Sequence, residues 1–103
     1  MSISTNAVTT VGNVVYTSSG STAITWLSLN NWGPSNVTAN LFAVPSGESA
    51  GTSTQIAYSL LLQSGDTYQI YVGSEKLLLD NGDFIEADAT ANTVTAVTSY
   101  TSI

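Results

Sequence analysis

The chain has 103 residues, enough for one domain with one core and too few to divide into two. It has no Cys, no His and a single basic side chain, Lys76, against seven acids, for a net charge of −6. These numbers exclude a disulfide framework, thiol and imidazole catalysis, a zinc site of the usual ligands, and the phosphate neutralisation that nucleic-acid binding requires.

The rest of the composition is that of a chain that folds. Hydrophobic residues make up 43%, including two Trp and five Tyr, so a core can form. The polar remainder is dominated by Ser and Thr, 30 residues together. A surface of this kind gives little charge repulsion between neighbours, and it suits a protein packed in an assembly or displayed on one.

Residues 1–7 are polar and without periodicity. They read as an N-terminal arm, with the domain proper at 8–103. Beyond them the period is two, so the fold class is all-β. Strands are expected near 7–11, 13–17, 22–30, 36–44, 54–62, 67–72, 75–79, 83–90 and 93–102. Val37, Ala39, Leu41 and Ala43 share one face of the fourth. Ile56, Tyr58, Leu60 and Leu62 share one face of the fifth, and Tyr68, Ile70 and Val72 one face of the sixth. Val94, Ala96, Thr98 and Tyr100 continue the last strand almost to the end.

Turn chemistry separates the strands. It appears at Ser18-Ser19-Gly20-Ser21, at Asn30 to Ser35, along Pro45 to Ser53, at Ser64-Gly65-Asp66 and at Asp80-Asn81-Gly82-Asp83. Seven to nine short strands at this spacing suggest one small β-sandwich, immunoglobulin-like or jelly-roll-like. No apolar run is long enough for a membrane-spanning helix, and the first residues lack the pattern of a signal peptide, so a membrane partner and a removable leader are not expected.

Chemistry-bearing residues are few. Asp80, Asp83, Glu86 and Asp88 cluster in sequence, and a carboxylate pair is what a glycosidase needs. Only Lys76 could stabilise a developing negative charge, so the cluster reads as turn residues plus a wet strand face, and no catalytic residue is expected. Asp80 to Asp83 lacks the spacing of a calcium loop, so no metal or cofactor is expected either. Lys76 has Glu75 and Asp80 within reach as ion-pair partners, an exposed pair worth about 0–1 kcal/mol.

Trp32 sits in a turn, where it either stacks on a sugar ring or caps one end of the core. Leu60-Leu61-Leu62 and Leu77-Leu78-Leu79 place apolar groups on both faces of their strands, which predicts a partner for the outward Leu61 and Leu78. Together with Ile3 in the arm and Tyr100 in the last strand, these are the expected interface residues.

Several stretches, taken in order, resemble small β-sandwich structural proteins of tailed bacteriophages, cyanophages in particular. They are Thr22-Ala-Ile-Thr-Trp-Leu-Ser-Leu-Asn-Asn31, Asn36-Val-Thr-Ala-Asn-Leu-Phe-Ala-Val-Pro-Ser-Gly47, Ser64-Gly-Asp-Thr-Tyr68, Leu77-Leu-Leu-Asp-Asn-Gly-Asp-Phe-Ile-Glu-Ala87 and Asn92-Thr-Val-Thr-Ala-Val97. The resemblance implies a virion component without catalytic residues, in first place a capsid decoration or cement protein. Its partners would be the major capsid protein or other virion proteins and further copies of itself, with a trimer expected. Neck, tail or fibre placement, with Trp32 reading host glycans, is the alternative it leaves open.

Overall fold

In a computed structural model, which describes residues 2–70 and 77–103, the chain is built of strands and turns. The strands are β1 (Ser2–Val8), β2 (Asn13–Thr17), β3 (Thr22–Asn31), β4 (Val37–Val44), β5 (Gln55–Leu62), β6 (Thr67–Ile70), β7 (Leu77–Leu79), β8 (Phe84–Ala89) and β9 (Val94–Ser102). The expected continuation of the sixth strand through Tyr71 and Val72, and the pairing of Lys76, lie outside the described residues.

The strands form two antiparallel sheets, ordered β1-β9-β3-β6 with β7 also on β3, and β2-β8-β4-β5. Among the described residues, sequential neighbours pair only at β4–β5. Further pairings nest around that hairpin, β3 with β6 and β7, β2 with β8 and β1 with β9, while β3–β9 and β4–β8 join the layers within each sheet. The chain is thus one long hairpin folded at the β4–β5 loop and rolled up, so that successive pairs fall in alternate sheets. That order is a jelly roll's; in an immunoglobulin sandwich the first two strands pair side by side.

Rolling is driven by the inner faces. Ile24, Leu27 and Leu29 of β3 face Ala39 and Leu41 of β4, with Ile85 and Ala87 of β8 and Val94 and Ala96 of β9 completing one buried cluster. Each buried Leu or Ile contributes about 1.5–3 kcal/mol relative to exposure. Small residues in β4, β8 and β9 let the two sheets approach where β3 carries large ones.

Bulges adjust the alternation. In β3 the register against β9 slips between Ile24 and Trp26, which lets Ile24 and Leu27, three apart, both point inward. In β5 the register against β4 slips, and Ser59 takes a φ of 51°. The expected common face of Ile56, Tyr58, Leu60 and Leu62 is therefore split. Ala57, Leu60 and Leu62 pack inward, whereas Ile56, Tyr58 and Leu61 are exposed. Asn40 holds the bulge: its Oδ1 accepts from the Ser59 N–H at 2.8 Å, and its Nδ2 donates to Asp88 Oδ1 at 2.7 Å.

The boundary at residue 8 also shifts. From Ser2 the expected arm is an edge strand, β1, in unbroken antiparallel register with β9 from Ser2↔Tyr100 to Val8↔Val94. Its inward column, Ser2, Ser4 and Asn6 before Val8, is polar, which is why the sequence carries no apolar alternation there. Backbone pairing with β9 makes it a strand.

Candidate functional site

Four connections meet at one end of the sandwich: Thr9–Gly12, Trp32–Asn36, Gln63–Asp66 and Thr90–Thr93. Asn31, the last residue of β3, ties them together. It follows Leu27 and Leu29 in the inward parity and is fully buried. Its Nδ2 donates to the Ser35 carbonyl at 2.8 Å and the Leu62 carbonyl at 3.0 Å. Its Oδ1 accepts from the Gly33 N–H at 3.1 Å and from Thr93 Oγ1 at 2.9 Å. Its backbone N–H donates to Asp66 O at 3.0 Å, and its carbonyl accepts from the Gly65 N–H at 2.9 Å. A buried amide with every donor and acceptor used is an orienting device, because leaving any one unpaired costs about 1–3 kcal/mol.

What this end presents is Trp32. Its backbone N–H donates to Thr93 O at 3.0 Å, while the residue itself is 62% exposed. Of the two roles open to it, capping the core is not the one it takes; the core at this end is closed by Val37, Leu62 and Val94. Gly33 permits the geometry, since a Cβ there would lie 2.7 Å from the Thr93 side chain. Ser64 adds a bond from Oγ to the Gly33 carbonyl at 2.6 Å, and Asp66 Oδ2 accepts from the Gln63 N–H at 3.0 Å. An exposed indole on a turn so fully hydrogen-bonded loses little entropy on contact.

The other expected interface residues do not join Trp32 in one patch. Leu61, 55% exposed, points out from the edge strand β5 of one sheet. Leu78, 65% exposed, points out from β7 of the other sheet. It lies opposite Ala23, at the far end of β3 from Trp32. Ile3, 69% exposed, is on the outer face of β1. Tyr100 departs from its expected role: it lies in the inward column of β9, packs on the core, and its ring stands 4.3 Å from that of Tyr16.

Asp66, Asp83 and Asp88 have their carboxylates engaged in the fold. Asp83 accepts from the Ser46 N–H at 2.9 Å with one oxygen and from the Asp80 N–H at 2.9 Å with the other. Asn81 Oδ1 accepts from the Gly20 N–H, and Gly82 takes a φ of 89°, so the acidic stretch is a turn that clamps β2–β3 and the β4–β5 loop. Among the described residues no three acids come together as a metal site. A shallow cleft of about 170 Å³ at this second end is lined by Ala43, Val44, Pro45, Asp83 and β7. No family model matches the chain, and no curated protein or solved structure matches it.

Proposed function

We propose that the chain is a non-enzymatic structural protein of a bacteriophage virion, a capsid decoration or cement protein that reinforces contacts between major capsid subunits. The observation that carries this reading is the exposure of Leu61 and Leu78, one on each sheet. Covering the exposed part of each by a partner is worth about 1–2 kcal/mol. The ordered motifs from Thr22 to Val97 supply the virion context by resemblance. The rolled topology supports it by analogy of fold alone, because jelly rolls build capsid and lectin domains.

Add-back of the purified chain to particles lacking it is the test. Hundreds of copies per particle, with a raised temperature of capsid disruption, are expected, and Leu61→Asp and Leu78→Asp should weaken the binding. Failure to bind, or a copy number of a few tens or fewer, overturns the capsid assignment.

A second reading is favoured by Trp32: a tail or fibre module whose indole stacks on a host glycan. It predicts glycan binding that Trp32→Ala abolishes with the melting temperature unchanged. Glycan binding that survives Trp32→Ala, or none at all, removes this reading.

A further inference from the structure

We infer that β1 is the edge at which this chain pairs, antiparallel, with a second copy of itself. A sheet edge carries a row of unpaired N–H and C=O groups, and folded proteins guard such edges with bulges, prolines, charges or short strands. Three of the four edges here are guarded. β2 slips register against β8 between Val14 and Tyr16. β5 carries the bulge at Ser59. On the edge beside β3 the register changes between β6 and β7, from Leu27↔Ile70 to Ile24↔Leu77. β1 has none of these devices. Its seven residues, Ser-Ile-Ser-Thr-Asn-Ala-Val, contain no charge and no Pro, and their register with β9 has no slip.

Near the turn β1 lies against β2, where Asn6 Nδ2 donates to the Val15 carbonyl at 2.6 Å. The open part is Ser2–Thr5. Charge permits a second copy as the occupant. Two copies, each at net −6, repel wherever their acids approach. The acids of the described residues lie in turns or on β8, in Glu48, Asp66, Asp80, Asp83, Glu86 and Asp88, and none is on β1, β9 or β3. The β1 edge is thus where like-charged copies can meet without desolvating a carboxylate.

A twofold axis normal to the sheet would join the copies as β6-β3-β9-β1-β1′-β9′-β3′-β6′, with both Ile3 side chains on the same outer face. Such a contact is isologous and closes at two, so the geometry names a dimer where the sequence suggested a trimer. It stands whether or not the larger assembly is a virion.

Sedimentation velocity of the full chain across concentration, with Ile3→Asp and Thr5→Asp, tests it. A monomer–dimer equilibrium is expected, at least tenfold weaker in both variants, with melting temperatures unchanged because both side chains are exposed. Leu61→Asp should leave it intact. Hydrogen exchange on the unaltered chain gives a second readout: amides in Ser2–Thr5 should gain protection as concentration rises. A chain monomeric up to about 1 mM, the weak end of specific association, overturns the inference. So does a dimer insensitive to both Asp variants, or protection that appears on β5 instead.

Discussion

Asn31 and Thr98 are both buried polar residues on inward faces, and they are opposite cases. Asn31 has every polar atom paired. Asn31→Ala would strand two carbonyls, an N–H and a hydroxyl, and should cost about 3 kcal/mol in denaturant unfolding. Trp32 emission should lose its sensitivity to the fold in the same variant. Thr98 is fully buried, and its Oγ1 is the buried side-chain polar atom without a partner among the described residues. Thr98→Val should therefore raise stability by about 1 kcal/mol. A drop in its unfolding midpoint would show that the hydroxyl has a partner in solution. Part of this was legible beforehand. Counting in twos from Leu27 and Leu29 puts Asn31 inside and Asn30 outside, yet the pattern gives no hint of the four groups that Asn31 gathers from Gly33, Ser35, Leu62 and Thr93. The exposure of Trp32 was not legible, because it follows from those bonds.

Alternation and turn residues located the strands from β2 to β9 to within a residue or two over the described residues, since most inward positions there are apolar. They failed at β1, where the inward column is Ser and Asn. They also failed at bulges, because one inserted residue moves half a strand to the other face and leaves no mark in composition. Ser59 is the test of the β5 bulge. At a φ of 51° a β-carbon is unfavourable, so Ser59→Gly should be neutral or stabilising by up to about 1 kcal/mol. Ser59→Val should destabilise by about 1–2 kcal/mol, read as the shift in melting temperature. If Val were tolerated as well as Gly, the left-handed turn would not be what sets the register of Leu60 and Leu62. Asn40→Ala should cost about as much as the Val variant, because it releases both the bulge and Asp88.

Taken whole, the molecule holds seven acids and one base, so at most one side-chain ion pair can form. Salt therefore screens repulsion and has almost no attraction to weaken. Raising NaCl from about 0.02 M to about 0.3 M, across which the screening length shortens severalfold, should raise the melting temperature and tighten self-association. A fall in either would mean that attractive pairs dominate. Composition carried this property in full. Alternation and turn spacing carried the β-sandwich class, but not the choice between architectures, because strand order depends on which edges meet and alternation within a strand does not encode that.

The place of β9 has a bearing on how the protein is made. β1 and β3 are neighbours only through it, since β9 pairs with both and they do not pair with each other. On the ribosome β1 and β3 emerge seconds before residues 94–102 at about 5–20 residues per second, and during that interval one whole sheet has no centre. Assembly of that sheet is thereby deferred until β9 has emerged. The edge of β1 is then created and exposed in the same event, so copies acquire the means to recognise one another only once β9 is in place.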